Sequence, residues 1–522
     1  MNKNKAAFSE LITKGYNPNG EFIILGAPLF DNEVLQESPI KLALKTFNRH
    51  GLIAGATGTG KTKTLQVLAE SLSEQGIPAL LMDIKGDLSG LGAAGQTSPT
   101  LEERAKQIGI PFKASAFPIE LLSLSNEKGA KLRATVSEFG PVLFSKILGI
   151  NDTQSSIVSI LFKYCDDHTL PLLDLKDFKK VLQFISEDGR VDIEKEYGKI
   201  STASTGTILR KVIELEQQGG DAFFGEYSFE TEDFLRKDSN GKGMLSIIRL
   251  TDIQDKPMLF STFMLCLLAE IYTTFPEQGD QDKPKLVIFI DEAHLLFEEA
   301  SKALLDQLES IIKLIRSKGV GVFFCTQTPT DIPADILGQL GLKIQHALRA
   351  FTAKDRKSIK LTAENYPLSD FYKTEELITA LGIGEALVTS LDEKGAPTPL
   401  AAVRMKAPAS RMNILTPTEI DQIVSESKLI PKYNQIIDRE SAYEILCDRL
   451  EHKATTKESD QEEEAKPTRK TAPPKPEMST LEQAINSPIA KQVGRTVARE
   501  LTRGLLGVLG ISTSKKRGKS WF

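Results

Sequence analysis

Long apolar runs, clustered cysteines and an excess of positive charge are all missing from this chain of 522 residues. With no uninterrupted apolar stretch of about 18 residues, no membrane-spanning helix is expected. The opening Met1-Asn-Lys-Asn-Lys lacks the apolar core of a signal peptide, so the expected location is cytoplasmic. The four cysteines, Cys165, Cys266, Cys325 and Cys447, stand far apart without C-x-x-C spacing. Three of them lie in apolar runs, which suits packed thiols better than zinc ligands or a disulfide frame. Lysine and arginine total 65 against 70 acidic residues, a net charge of −5. No global basic field marks a simple DNA coat, although a ring with a basic lumen is compatible with an acidic total.

A composition that is 40% hydrophobic and 26% charged is that of a globular protein. The length suggests about two to four domains. The most informative stretch is Gly55-Ala56-Thr57-Gly58-Thr59-Gly60-Lys61-Thr62, which satisfies G-x-x-x-x-G-K-[ST]. An apolar run (Leu52, Ile53, Ala54) precedes it and a helical pattern (Leu65, Val67, Leu68, Leu72) follows it. Glycines let such a loop wrap a phosphate chain closely, with backbone N–H groups and a helix N-terminus aimed at the charge. Lys61 then reaches the β- and γ-phosphates of ATP, and the Thr62 hydroxyl takes a place on Mg²⁺.

Along the chain, residues 1–48 hold two short strand-like runs and read as a β-rich lead-in without independent stability. From 49 to 130 the pattern is strand, helix, strand, which argues for a parallel sheet. Helical periodicity then takes over from 131 to 240, and we read this as a helical insertion, with Asp174 or Asp177 capping one of its helices. The α/β pattern resumes over 241–405. Its expected elements are strands at 244–250, 285–290, 320–326, 344–348 and 386–389, with helices at 257–274 and 302–317. A helical extension covers 406–452, and the charged, Pro-rich stretch 453–480 reads as a disordered linker. Residues 481–522 carry a basic amphipathic helix, with Lys491, Arg495, Arg499 and Arg503 repeating beside Val493, Val497, Leu501 and Leu505. That helix suits a docked surface face, a contact with nucleic acid or another anionic surface, or a membrane surface.

The apolar run Leu286-Val-Ile-Phe-Ile290 ends in Asp291-Glu292. A buried strand that delivers two carboxylates at its C-terminal end is what a phosphate-loop hydrolase needs. Asp291 would hold Mg²⁺ through water, and Glu292 would polarise the attacking water. The next strand ends in Thr326-Gln327, where a polar side chain can report the γ-phosphate; Gln327 is the first candidate and Thr326 the second. Asp291-Glu-Ala-His294 also spells the signature of DEAH-box helicases. Those proteins carry two tandem ATPase lobes, whereas this chain has a single phosphate loop, and His294 reads more simply as a helix-start residue. A single lobe leaves positive charge short at the γ-phosphate. Arg316 or Arg349 is the candidate to supply it to a neighbouring subunit. Asp83-Ile-Lys85-Gly86-Asp87 falls at the ligand-binding edge of an open sheet, so a structural or substrate-facing role near the nucleotide is expected.

Taken in order, Asn48-Arg-His-Gly through Lys61-Thr62, Asp83-Ile-Lys-Gly-Asp-Leu-Ser-Gly, the strand ending Asp291-Glu-Ala-His294, Ile315-Arg-Ser-Lys-Gly-Val through Thr326-Gln327, and Gln345-His-Ala-Leu-Arg resemble the HerA-like branch of the HerA/FtsK P-loop ATPases. Within it the chain is most similar to the bacterial YjgR-like group. The resemblance implies a RecA-like α/β core, Glu292 as the catalytic glutamate, Gln327 on the sensor strand, and a ring, usually a homo-hexamer, with ATP at subunit boundaries. It further implies a motor on double-stranded DNA. Members that process DNA ends carry a substantial N-terminal β-barrel where this chain shows only the short lead-in, which argues against docking a nuclease in their manner. The rival reading is a nucleotide-dependent switch or scaffold that recruits a protein partner through its C-terminal helix.

Overall fold

Buried runs of β-branched and aliphatic residues, such as Leu286–Ile290 and Val320–Thr326, have no solvent face and so pair on both edges as interior strands. The computed structural model describes residues 3–463 apart from 280, 299–301, 436 and 438. The described residues fall into two units, one built from the chain up to Leu132 and from Phe229–Gln435, the other from Arg133–Ser228 and the described residues after Gln435.

The described residues of the first unit form one sheet of 13 strands. In chain order these are β1 (Phe22–Phe30), β2 (Glu33–Val34), β3 (Ile40–Ala43), β4 (Gly51–Ala54), β5 (Ala79–Asp83), β6 (Ile119–Ser123) and β7 (Ala130–Lys131). They continue with β8 (Leu245–Arg249), β9 (Leu286–Ile290), β10 (Val320–Thr326), β11 (Leu342–His346), β12 (Glu385–Thr389) and β13 (Ala401–Met405). The spatial order is β2-β1-β13-β12-β11-β4-β10-β9-β5-β8-β6-β7, with β3 beside β1. From β11 to β7 every pairing is parallel, while β12, β13 and β1 continue the sheet antiparallel. This is a RecA-like α/β core. The strand feeding the phosphate loop, β4, lies between β11 and β10, and the acidic strand β9 lies one strand further out.

Two sequence expectations differ from the structure. The lead-in is not simply β-rich, because it opens with helix Lys3–Gly15, whose Phe8 and Ile12 are buried one turn apart. Phe8 packs on Phe30 at 5.1 Å, and β1 pairs with β13, so the lead-in is an edge of the main sheet. Helix Ala442–Glu463 runs past 453, where a linker was expected to begin. The remainder of 453–480 and the basic helix of 481–522 lie outside the described residues. Helix Pro257–Thr274, expected as a buried helix, is long and apolar enough to cross a bilayer by length and composition alone. It is buried without interruption from Leu259 to Ile271 and serves as a core helix packed against helix Lys302–Ile315.

The second unit is helical. Capping boxes open three of its helices, Thr135 with Glu138, Asn151 with Gln154, and Asp174 with Asp177. Asp174 is the cap, and Asp177 returns the bond to the cap's own amide. Phe144, Phe162 and Phe178 form part of its core, with Phe144 and Phe178 centred 4.7 Å apart.

Candidate functional site

The parallel strands end along one edge of the sheet, and the register places their last residues side by side. Ala54 of β4 pairs with Thr326 of β10 and with Gln345 of β11, while Ile290 of β9 pairs with Phe324 and Met82. The segments that follow, 55–60, 84–88, 291–294 and 327–331, therefore open onto the same edge.

The phosphate loop is pinned from both neighbours. The Gly55 N–H donates to the carbonyls of Thr326 (3.3 Å) and Gln327 (3.1 Å), and the Ala56 N–H donates to Ala347 O (2.8 Å). The Gly384 N–H donates to Thr59 O at 2.9 Å, which holds the loop's far side. Two glycines are required by geometry. A Cβ on Gly55 would lie 2.5 Å from the Cβ of His346, and Gly60, at φ 114°, is the left-handed residue that turns the chain into helix Lys61–Glu74. The first amides of that helix have no preceding carbonyl to take them and face the loop's concavity. Lys61 is buried, and its Nζ donates to Gly55 O at 2.7 Å and Ala56 O at 3.3 Å. Thr62 is half-buried, and Thr57 and Gly58 are exposed.

Below the loop, His346 locks the helix. Its Nδ1 lies 2.9 Å from Glu385 O and must donate, so its Nε2 accepts the Thr64 hydroxyl at 2.9 Å. Burial, with Lys61 nearby, lowers the imidazole to about 4 and keeps it neutral. Sequence reasoning missed this residue because nothing local pairs His346 with a helix 282 positions away.

Across β10 lie the carboxylates. Asp291 and Glu292 are both buried, and Glu292 takes a left-handed φ of 46°. For a glutamate this conformation costs about 1–3 kcal/mol, and such strain gathers at functional positions. Asp291 is pushed up to about 6 by burial, then by the charges of Glu292 and Asp87. Glu292 Oε1 is ion-paired with Lys85 Nζ, and its Oε2 lies 3.3 Å from His294 Nδ1 without hydrogen-bond geometry. Asp83 accepts the amides of Gly86, Asp87 and Leu88 and so builds the turn that carries Lys85. Asp83 itself is pushed up to about 7, by burial and then by Asp87.

These residues suit a triphosphate with a divalent cation. Asp291 Oδ2, Glu292 Oε2 and Asp87 Oδ1 are buried without a hydrogen-bond partner among the described residues. Among the described residues no group of three His, Cys, Asp or Glu is arranged to hold a metal. A cation at this edge would rely on one carboxylate, a hydroxyl, water and the nucleotide's own oxygens, which is the habit of Mg²⁺.

The other predicted residues divide. Gln327 is exposed directly after β10, with its carbonyl on the loop. Thr326, the second sensor candidate, has its hydroxyl committed to Asp331 at 2.6 Å. Arg349 stands on the loop's edge, exposed, with its guanidinium on Thr379 O at 3.0 Å. Arg316 precedes β10 and lies near His50, at the opposite edge of the sheet. The seven residues of β10 put it roughly 20 Å from this chain's own loop.

Comparison with known proteins follows the same line. The family described as helicase HerA-like C-terminal matches residues 30–516. The DNA double-strand break repair helicase HerA of Sulfolobus acidocaldarius is 22% identical over 360 residues, 67% of this chain and 64% of that protein. Its counterpart in Sulfurisphaera tokodaii is 25% identical over 372 residues, again 67% and 64%. The chain thus spans a little under two thirds of these relatives. Among solved structures, the bacterial conjugative coupling protein TrwB superposes with a TM-score of 0.51 at 14% identity, covering 78% of this chain and 94% of that one. TrwB in complex with the ATP analogue ADPNP gives 0.50 at 14% identity, covering 76% and 98%. At that identity the likeness speaks for the fold.

Proposed function

We propose, from the premise that this chain belongs to the helicase HerA-like C-terminal family, that it is a cytoplasmic, ATP-hydrolysing motor that moves along or unwinds double-stranded DNA as a ring of identical subunits, a hexamer by family resemblance. The observation that carries the ATPase reading is the sheet edge itself. A phosphate loop fixed by β10 and β11 faces two buried carboxylates with unpartnered oxygens, one strand away.

In this reading the loop amides and Lys61 bind the β- and γ-phosphates, and Lys61 leaves the carbonyls of Gly55 and Ala56 to do so. Thr62 and Asp291 would hold Mg²⁺, which would draw charge from the phosphate oxygens when bound. Glu292 orients a water for in-line attack and takes its proton as the bond to the γ-phosphorus forms and the β–γ bridge breaks. Gln327, on the residue whose carbonyl already holds Gly55, is suited to report the γ-phosphate. Arg316 lies too far from its own loop to act there, which favours a role at a neighbour's nucleotide; Arg349, on the loop's edge, is the alternative.

The test is ATP turnover with and without duplex DNA at low salt. Stimulation by DNA, lost in Glu292→Gln with nucleotide binding retained, is the expected result. Turnover indifferent to DNA would move the chain to the switch or scaffold reading, in which the partner is a protein. Retained turnover in Glu292→Gln would remove that residue from the base role.

A further inference from the structure

The ion pair at the acidic strand has a consequence for the chemistry. We propose that Lys85 is the positioning residue for Glu292: it fixes one carboxylate oxygen so that the other is presented to the attacking water. The inference rests on the ATPase reading of Glu292 given above.

Four observations support it. The strand order makes β5 and β9 neighbours, with Met82 opposite Ile290, so the residues just beyond both strands meet. The turn that carries Lys85 is held by three amide bonds to the buried carboxylate of Asp83. Gly86, at φ 79°, completes that turn where a Cβ would press within 2.9 Å of Thr251. Finally, Lys85 engages only Oε1 of Glu292, while Oε2 is buried and makes no hydrogen bond. A glutamate has three side-chain torsions and no fixed direction unless something holds it. Here its backbone is already turned aside at φ 46°, and the side-chain anchor comes from the neighbouring strand.

A purely structural role is the alternative. The Lys85 side chain is 45% exposed against 6% for Glu292, so removing Lys85 leaves a buried carboxylate unpaired, and stability and turnover must be read side by side. An anchor needs geometry more than energy, because a shift of about 1 Å in a reacting group can cost on the order of 10²-fold in rate.

The experiment is a mutant cycle on the full chain, comparing wild type, Lys85→Met, Glu292→Gln and the double variant. Steady-state and single-turnover ATP hydrolysis are read beside the affinity for a fluorescent ADP analogue. Lys85→Met is expected to lower kcat by on the order of 10²-fold with KM and ADP affinity unchanged. Lys85→Arg, which keeps charge and reach, is expected to recover most of the loss. In the double variant the lysine change should add nothing, because its effect passes through Glu292. Wild-type kcat in Lys85→Met would overturn the proposal. A raised KM at constant kcat would do so too, by making Lys85 a nucleotide contact, as would a full further loss on top of Glu292→Gln. If Glu292→Gln alone turns over normally, the base reading has failed, and that result is distinct from any of these. Melting midpoints check folding, and Lys85→Gln replaces Lys85→Met should the latter be destabilised.

Discussion

Two buried histidines lie at opposite ends of the strand that feeds the phosphate loop, His50 at its start and His346 beside the loop, and their tautomers are opposite. His50, just before β4, accepts the Val322 N–H at Nδ1 (3.0 Å) and donates from Nε2 to Ile312 O (2.9 Å). His346 donates from Nδ1 to Glu385 O and accepts the Thr64 hydroxyl at Nε2. Each ring has one nitrogen that must stay unprotonated, and burial lowers both to about 4 from 6.5. The unfolded chain therefore binds more protons between these values. Their contribution is full above about pH 6.5 and is lost as pH falls toward 4, roughly 3 kcal/mol for each. Thermal denaturation between pH 7 and 4 checks this. Wild type should lose stability through that window, and His346→Gln should flatten the loss while starting from a lower midpoint. At the same scale, Lys61→Ala should abolish nucleotide binding in a fluorescent-ADP titration, leaving the melting midpoint of the free protein nearly unchanged. The place of Lys61 in the loop was legible in the sequence because one short motif fixes it. His346 was not, because its partners come from two other elements.

Among the elements, the helix of the phosphate loop is tied down by a strap that sequence periodicity did not reveal. Glu70, buried on helix Lys61–Glu74, accepts the amides of Ala409 (2.8 Å) and Ser410 (3.0 Å) and the Ser410 hydroxyl. Lys63 and Lys406 add bonds to Met412 O (2.5 Å) and the Ser71 hydroxyl (3.0 Å). Removing the Glu70 carboxylate leaves one buried amide (Ser410) and one half-buried amide (Ala409) unsatisfied, at about 1–3 kcal/mol each. Glu70→Ala should thus cost about 2–5 kcal/mol in urea unfolding, and Glu70→Gln less, since one acceptor oxygen remains. The strands β9 and β10 fell where the apolar runs put them. β6 and β13 went unread, because five-residue runs inside loop-like sequence carry too little periodicity until a neighbouring strand pairs with them.

For the whole molecule, the expected ring makes a prediction that no single subunit can satisfy. In that ring Glu292→Gln is expected to inactivate the site on its own chain while leaving Arg316 to serve a neighbour. Arg316→Ala keeps its own loop and carboxylates but deprives the neighbour. Each variant alone should be nearly inactive, and an equal mixture assembled together should regain roughly a quarter of wild-type turnover from the correctly matched boundaries. If the mixture stays inactive while Arg349→Ala complements instead, the trans arginine is Arg349. Mixing variants and following phosphate release decides between them.

What the sequence by itself determined is local: a phosphate-loop motif at Gly55–Thr62, two carboxylates at the end of an apolar strand, and a polar residue at the end of the neighbouring strand. Loop shape and residue chemistry over a few positions suffice for these, since glycine conformation, helix starts and short apolar runs are short-range properties. The tertiary structure decided which distant groups meet. Lys85 reaches Glu292 across 207 positions, His346 reaches Thr64 across 282, and Glu70 reaches Ser410 across 340. Those contacts depend on strand order and parallel register, and the apolar pattern that marks each strand as buried does not say which strand lies beside it.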